Sequence, residues 1–106
     1  MNPLVSLVNQ VFEIEQKIAA KNELADVSRN IDRIKNHLDE LGYQYHNPIN
    51  EKYMDTRTDC VASIVGDLVD SNMFISKVIK PVIYFKNEQA PLAIVQKAVV
   101  IVEHRK

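Results

Sequence analysis

The feature that most constrains this chain is a long stretch without proline or glycine, over residues 4–41. Asn2 and Pro3 precede it as a helix N-cap and a first helical residue, and Gly42 follows it as a helix stop. Apolar residues recur inside the stretch at intervals of three and four, which is the spacing of one helix face. The sequence therefore predicts helical structure up to Gly42 and a different kind of structure after it.

The apolar stripe of this stretch consists of two series that are offset from each other. The step between them, from Ile18 to Leu24, is six residues, which is one short of a heptad. Such an offset either distorts a coiled coil locally or breaks the helix, and Asn22 is a suitable cap for a second helix. A two-helix hairpin therefore remains open beside the single long helix.

A single helix of this length would extend for about 57 Å. The remaining segment, 43–106, is too small to cover its apolar stripe. We therefore expect residues 1–42 to form a long dimerisation helix that pairs with a second copy of the chain as a coiled coil. The expected interface of this homodimer is the second apolar series: Leu24, Val27, Ile31, Ile34, Leu38 and Leu41.

Segment 43–106 is rich in β-branched residues and is predicted to be a β-rich domain. Its strand candidates are 59–65, 73–85 and 92–103, after a connection over 43–58 with little regular structure. The candidate 73–85 is either one long strand or two short ones. Pro81 lacks the N–H that a strand ladder needs, so it belongs at an edge, a bulge or a strand switch. The last candidate is apolar on both faces, which predicts a central strand covered on both sides.

The fold class predicted from these patterns is α+β, with a long N-terminal coiled-coil helix followed by a small antiparallel β domain. Composition agrees with a globular chain, since 46% of the 106 residues are hydrophobic and 25% are charged. The net charge of −1 gives no basic footprint for nucleic acid. No apolar run has the length of a membrane span and no leader-like start is present, so neither a membrane nor a secretory route is expected.

The single cysteine, Cys60, excludes an intrachain disulfide and favours a cytoplasmic protein. The histidines, at 37, 46 and 104, lack metal-ligand spacing, so no metal and no cofactor is expected. The polar cluster 55–59 is either an acid/base or phosphate-binding group or, as we favour, a turn whose side chains cap the backbone. A glycine-rich phosphate loop is absent, and the sequence indicates a protein that is not an enzyme.

Two short stretches of the β-rich segment resemble the GrpE family, the nucleotide exchange factors of DnaK-type chaperones. The first consists of Asn50-Glu51-Lys52-Tyr53 followed by Asp59-Cys60-Val61, and the second runs from Ala93 to Val102. The order of helix and β domain agrees as well. The sequence departs from the family pattern at several positions: Asn50 for glycine, Met54-Asp55 for Asp-Pro, Thr58 for histidine, Ala93 for a basic residue and Gln96-Lys97 for Arg-Pro.

The resemblance implies a dimeric co-chaperone whose β domain binds the ATPase domain of a DnaK-type chaperone and promotes nucleotide exchange. Glu51, Lys52 and Tyr53 match the family and are the implied partner-binding residues, and Arg57 adds a nearby hydrogen-bond donor. The alternative is a non-enzymatic scaffold or adaptor that binds another protein through the coiled coil or a β edge. The tyrosines at 43, 45 and 53 are either a contact surface or packing between helix and β domain.

Overall fold

The computed structural model describes residues 3–21, 25–66, 72–88 and 90–104. Its described part is α+β, with helices followed by strands, as the sequence predicts. The helices are α1 (Pro3–Lys21) and α2 (Ala25–Glu40). The strands are β1 (Tyr43–His46), β2 (Cys60–Ile64), β3 (Met73–Lys80), β4 (Val82–Asn87), β5 (Ala90–Gln96) and β6 (Ala98–His104).

The prediction of one long coiled-coil helix is wrong. The helical stretch is divided between α1 and α2, at the place where the apolar stripe shifts. Val8 and Val11 of α1 are buried in one cluster with Ile31 and Leu38 of α2. A hairpin allows the two offset series to face the same interior, so part of the stripe is covered within one chain, while members of both series remain exposed. Asn22, the proposed cap, lies outside the described residues.

Gly42 ends α2, as the sequence predicts. Its φ is +95°, and its N–H donates to the carbonyl of Asp39 at 2.9 Å. A Cβ atom at this position would lie 2.5 Å from the carbonyl oxygen of Lys86, so the site admits glycine alone. The carbonyl of Gly42 also accepts from the N–H of Lys86 at 2.9 Å, which starts the pairing of β1 with β4.

The strands form two three-stranded sheets. Sheet I has the order β1-β4-β5, and sheet II has the order β2-β6-β3. The pairing of β2 with β6 is parallel, so the prediction of a purely antiparallel domain is corrected at this pair. Segment 43–58 also holds more structure than predicted, because β1 lies within it.

One long bent hairpin joins the two sheets. Its first leg is β3 and β4, its second leg is β5 and β6, and its pairs run from Met73 opposite His104 to Asn87 opposite Ala90. Pro81 separates β3 from β4 at the bend, which is the strand switch among the three positions that the sequence left open for it. Lys97 separates β5 from β6 on the other leg. The predicted single last strand is therefore two strands in different sheets.

Two hydrophobic cores lie on opposite sides of sheet I. One core lies between the helices and sheet I and includes Tyr43 and Ile83. The other lies between sheet I and sheet II and consists of buried residues from both: Tyr53, Met73, Ile75, Val82, Ala98, Val100 and Val102. Reciprocal amide bonds between Asn9 and Gln96, at 2.9 and 3.0 Å, fasten α1 to the end of β5.

Within the described residues, neither helix combines the length and the hydropathy that crossing a bilayer requires.

Candidate protein-interaction site

Segment 50–53 contains three of the four predicted partner-binding residues. It lies along the edge of β3 that does not pair with β6. The N–H of Asn50 donates to the carbonyl of Ile75 at 2.8 Å, and the N–H of Tyr53 donates to the carbonyl of Met73 at 2.9 Å. Between them, Lys52 forms a bridge with Phe74. Asn50 has a φ of +67°, in the left-handed region where Asn is tolerated, and stands where the GrpE pattern has glycine. The segment thus covers the edge of β3 with main-chain hydrogen bonds and one isolated bridge.

Successive side chains of this segment point to opposite faces of sheet II, so Lys52 and Tyr53, both predicted to bind the partner, have different surroundings. Tyr53 is only 8% exposed and belongs to the core between the sheets, whereas Lys52 is exposed. Tyr43 is buried against the helices, so the predicted packing between helix and β domain applies to Tyr43, whereas Tyr53 packs between the two sheets. Tyr53 therefore holds the segment on sheet II, and Lys52 is the residue that faces solvent.

Arg57 braces the loop between β1 and β2. Its Nε donates to Asp59 Oδ1 at 3.0 Å and its Nη2 donates to Asp59 Oδ2 at 2.8 Å, a two-point ion pair. Nη1 donates to the carbonyl of Lys52 at 3.0 Å, and Nη2 is 3.2 Å from Glu51 Oε1. Each guanidinium nitrogen of Arg57 is therefore engaged inside the chain.

Glu51 continues this network to His46, whose Nε2 contacts Glu51 Oε2. The connected side chains form a brace, defined here as His46, Glu51, Arg57 and Asp59. Hydrogen bonding from Arg57 lowers the pKa of the Asp59 carboxyl, and the same bond raises the pKa of Arg57. Both groups are thus charged at neutral pH, and the brace closes the loop onto β1 and β2.

Cys60 follows the brace at the start of β2 and points toward the core between the sheets. Burial, and next the charge of Asp59, raise the pKa of its thiol to about 11. Since the thiolate is the nucleophilic form, a thiol with this pKa is unreactive at neutral pH. Among the described residues, no group of three or more His, Cys, Asp and Glu is arranged to hold a metal ion.

The outer face of sheet II is the open surface next to the brace. Val61 of β2 is 56% exposed and lies opposite the half-buried Val99 of β6. Ile101 continues this apolar row, and it pairs with Lys77 of β3, while Val99 pairs with Lys80. We call this surface, with Val61, Val99, Ile101, Lys77 and Lys80, the sheet II face. Glu103 of β6 lies on the same face, so the surface combines apolar groups with charges of both signs.

The residues predicted to form a helical dimer interface differ in how far their side chains are exposed to solvent. Ile31 and Leu38 are covered within the chain, and Ile34 is half-buried. Val27 and Leu41 are 36% and 57% exposed. Leu24 lies outside the described residues. The part of this series that is free to meet another molecule is therefore limited to its exposed members.

Sequence reasoning missed the surface of β5. The continuous apolar pattern over 92–103 predicted a covered central strand, but the break at Lys97 places β5 at the edge of sheet I. Leu92, Ile94 and Val95 are consequently exposed. The Gln96-Lys97 pair was the available indication, because it is the polar interruption of the apolar run.

Comparison with models of known protein families, with curated protein sequences and with solved structures finds no match for this chain.

Proposed function

We propose that this chain acts without catalysis on another protein, as a GrpE-like co-chaperone whose β domain binds the ATPase domain of a DnaK-type chaperone. One observation carries the proposal: the β2 part of the first stretch that resembles GrpE and the β6 part of the second stretch pair with each other in sheet II. Val61 of the first stretch pairs with Val99 of the second, and the N–H of Ala98 donates to the carbonyl of Asp59 at 2.9 Å. Segment 50–53 borders the other side of the same sheet.

The proposed contact surface is the sheet II face together with the exposed side chain of Lys52. Val61 and Ile101 supply apolar area, and Lys77 and Lys80 supply positive charge beside it. Arg57 and Glu51 support this surface by holding the loop, and Tyr53 supports it from the core. Apolar groups supply most of the affinity in such a contact, and the lysines set encounter rate and orientation.

Exchange activity requires a difference in affinity between two states of the chaperone. A protein that binds the open nucleotide cleft more tightly than the closed one shifts the population toward the open state and so releases ADP faster. No bond is made or broken by the exchange factor. We further propose that this takes place in the cytoplasm, since Cys60 offers no intrachain disulfide.

The test is the release rate of labelled ADP from the ATPase domain of a DnaK-type chaperone. We expect the wild-type protein to accelerate release and Val61→Lys to abolish the acceleration. Val27→Lys is the matched control, because it adds the same charge to an exposed apolar position on α2. Equal release rates with and without the wild-type protein would reject the exchange function.

A second candidate is an adaptor that binds a protein without promoting exchange. The exposed edge of sheet II favours it, since Val61 and Val65 are uncovered there, and an exposed apolar patch beside charges is typical of protein interaction sites. The wild-type protein and the two lysine variants would serve as baits. A protein retained by the wild type and Val27→Lys, but lost with Val61→Lys, would identify the adaptor's partner. Retention of the same proteins by all three baits would reject the sheet II face.

A further inference from the structure

The edge of sheet I at β5 is open and apolar. β5 is hydrogen-bonded to β4 on one side only. Leu92, Ile94 and Val95 are 47%, 42% and 45% exposed. No charged residue lies within 92–96. Such an edge presents free main-chain groups and apolar side chains together, which is the arrangement that pairs with another strand.

Of the other three sheet edges in the described structure, two are covered or short, and the third, β2 in sheet II, is open over five residues. Segment 50–53 bonds to the edge of β3, and β1 has only four residues. β5 has seven residues. Proteins usually protect a long apolar edge with a charge, a proline or a covering segment. β5 has one such residue, Pro91, near its start, and the stretch after it, 92–96, has no charge, no proline and no covering strand in the described structure. A strand from another molecule is the covering that suits this part of the edge.

A second copy of β5 fits this edge because the strand is complementary to itself. In an antiparallel pair centred on Ala93, Leu92 lies directly opposite Ile94 of the partner subunit, and the two-fold axis repeats the contact. In sheet I, Ile94 pairs with Tyr84, on the side of the sheet opposite the helical core. Leu92 lies on the same side as Ile94, so the two apolar cross-strand pairs form on one side of the joined sheet and stabilise the register.

The charges at the two ends of β5 support the same arrangement. Glu88 lies in the turn before the strand, and Lys97 lies at its end, and both are exposed. Among the described residues neither side chain has an ion pair. An antiparallel pair brings the start of each strand beside the end of the other, so Glu88 of each copy comes within one residue of the position opposite Lys97 of the partner subunit. A parallel pair would place like charges together.

We propose that two copies of this chain associate through antiparallel pairing of their β5 strands, which joins both copies of sheet I into one six-stranded sheet. The pairing does not depend on what the sheet II face binds, since β5 belongs to the other sheet. Because one strand per copy contributes, the contact is smaller than the standard interface of about 800 Å² per partner, and we expect a dissociation constant of about micromolar order.

Sedimentation across a concentration series, roughly 1 to 100 μM around the expected dissociation constant, tests the proposal. We expect a monomer–dimer equilibrium for the wild type and monomers at all concentrations for Ile94→Lys, which adds a charge to the exposed edge. Val27→Lys is the matched control and should dimerise as the wild type does. A wild type that stays monomeric overturns the proposal. The proposal is also overturned if Val27→Lys dissociates the dimer and Ile94→Lys does not, because the helices would then form the interface.

Charge reversal tests the antiparallel direction. Lys97→Glu alone should weaken the dimer several-fold, since it places two carboxylates together at each end. Adding Glu88→Lys to Lys97→Glu should restore the wild-type affinity. A double variant as weak as Lys97→Glu would contradict the proposed direction.

Cross-linking tests the register. Ala93→Cys in a Cys60→Ser background places two thiols across the two-fold axis, where opposed strand residues have Cα atoms about 4.5–5.5 Å apart, within disulfide range. Mild oxidation should produce a covalent dimer. Val61→Cys in the same background is the control, because β2 takes no part in the pairing. Equal cross-linking of both variants would indicate random collision and reject the register.

Discussion

Arg57 and Asp59 form a two-point ion pair two residues apart, with nitrogen–oxygen distances of 3.0 and 2.8 Å. Both side chains are mostly covered. Within the polar cluster 55–59, these two side chains therefore bind each other, and the N–H of Arg57 donates to the carbonyl of Met54 at 3.0 Å in a turn. A carboxylate held by a guanidinium on both oxygens is a poor general base.

Replacing Arg57 should destabilise the fold more than its position in a loop suggests. We expect Arg57→Ala to lower the free energy of unfolding by about 2–3 kcal/mol, since Asp59 and Glu51 lose their partner. Arg57→Lys should lose about half as much, because lysine keeps the charge but not the two-point geometry. Urea titration measures both. Lys77→Ala, which removes an exposed charge, is the control, and an equal effect there would contradict the role of the brace.

Stability should depend on Asp59 in acid. Its folded-state pKa lies below the ordinary value of 3.8, so the unfolded state binds the proton more readily. The stabilisation is therefore complete above the unfolded-state pKa and is lost as pH falls through the folded-state pKa. Asp59→Asn should be less stable than the wild type at pH 7, and the difference should shrink below about pH 4. Urea midpoints across this range measure it, and a constant difference would refute the assignment.

Gly42 and Gly66 allow the cost of a side chain on a left-handed backbone to be compared with and without close packing. Both have positive φ, +95° and +100°, but a Cβ atom at Gly42 would clash with the carbonyl of Lys86, whereas nothing lies within 4 Å at Gly66. Gly66→Ala should cost about 1 kcal/mol, as left-handed backbone does for alanine. Gly42→Ala should cost clearly more, since α2, β1 and β4 meet there. Thermal unfolding of both variants checks the order, and similar melting temperatures would count against this packing.

Local chemistry in the sequence predicted the points where the chain turns. Gly42 and Pro81 act as expected, because each restricts the backbone by its own structure. The pairing of β2 with β6 joins residues nearly forty positions apart, such as Cys60 and Ala98, and no local pattern encodes a contact over that separation. The division at Lys97 was missed for a related reason: apolar periodicity shows which residues avoid water, not which sheet covers them.

The sequence predicted which residues of the candidate site lie together, but not which of their side chains face solvent. Glu51, Lys52, Tyr53 and Arg57 do lie together, and the sequence placed them in one loop. Which side chains face solvent depends on the bonds of segment 50–53 to β3, and these are long-range contacts. Similarly, the offset at Ile18 and Leu24 allowed a hairpin, but the covering of Ile31 by α1 and sheet I follows only from the tertiary structure.

Ile31 and Val27 distinguish the hairpin from an intermolecular helix pair. Ile31 is 4% exposed inside the chain, so Ile31→Asp should unfold the helical core at a cost of several kcal/mol, as an unpaired buried charge does. Val27→Asp should change stability by less than about 1 kcal/mol. Circular dichroism during urea titration measures both. A folded, monomeric Ile31→Asp protein would instead support a helical dimer interface.

Lys52 and Tyr53 should affect chaperone binding by different routes. Tyr53→Ala removes a buried aromatic ring from the core between the sheets, and such truncations cost about 3–5 kcal/mol of stability. Any loss of binding in this variant should therefore accompany loss of structure and be relieved by Tyr53→Phe. Lys52→Ala leaves the core intact, so a weaker affinity with an unchanged melting temperature would place Lys52 at the contact.

Calorimetric titration of the three variants against the ATPase domain, beside their thermal unfolding, separates these routes. If Tyr53→Ala stays folded and loses binding while Lys52→Ala binds as the wild type does, the tyrosine itself meets the partner and the burial argument fails.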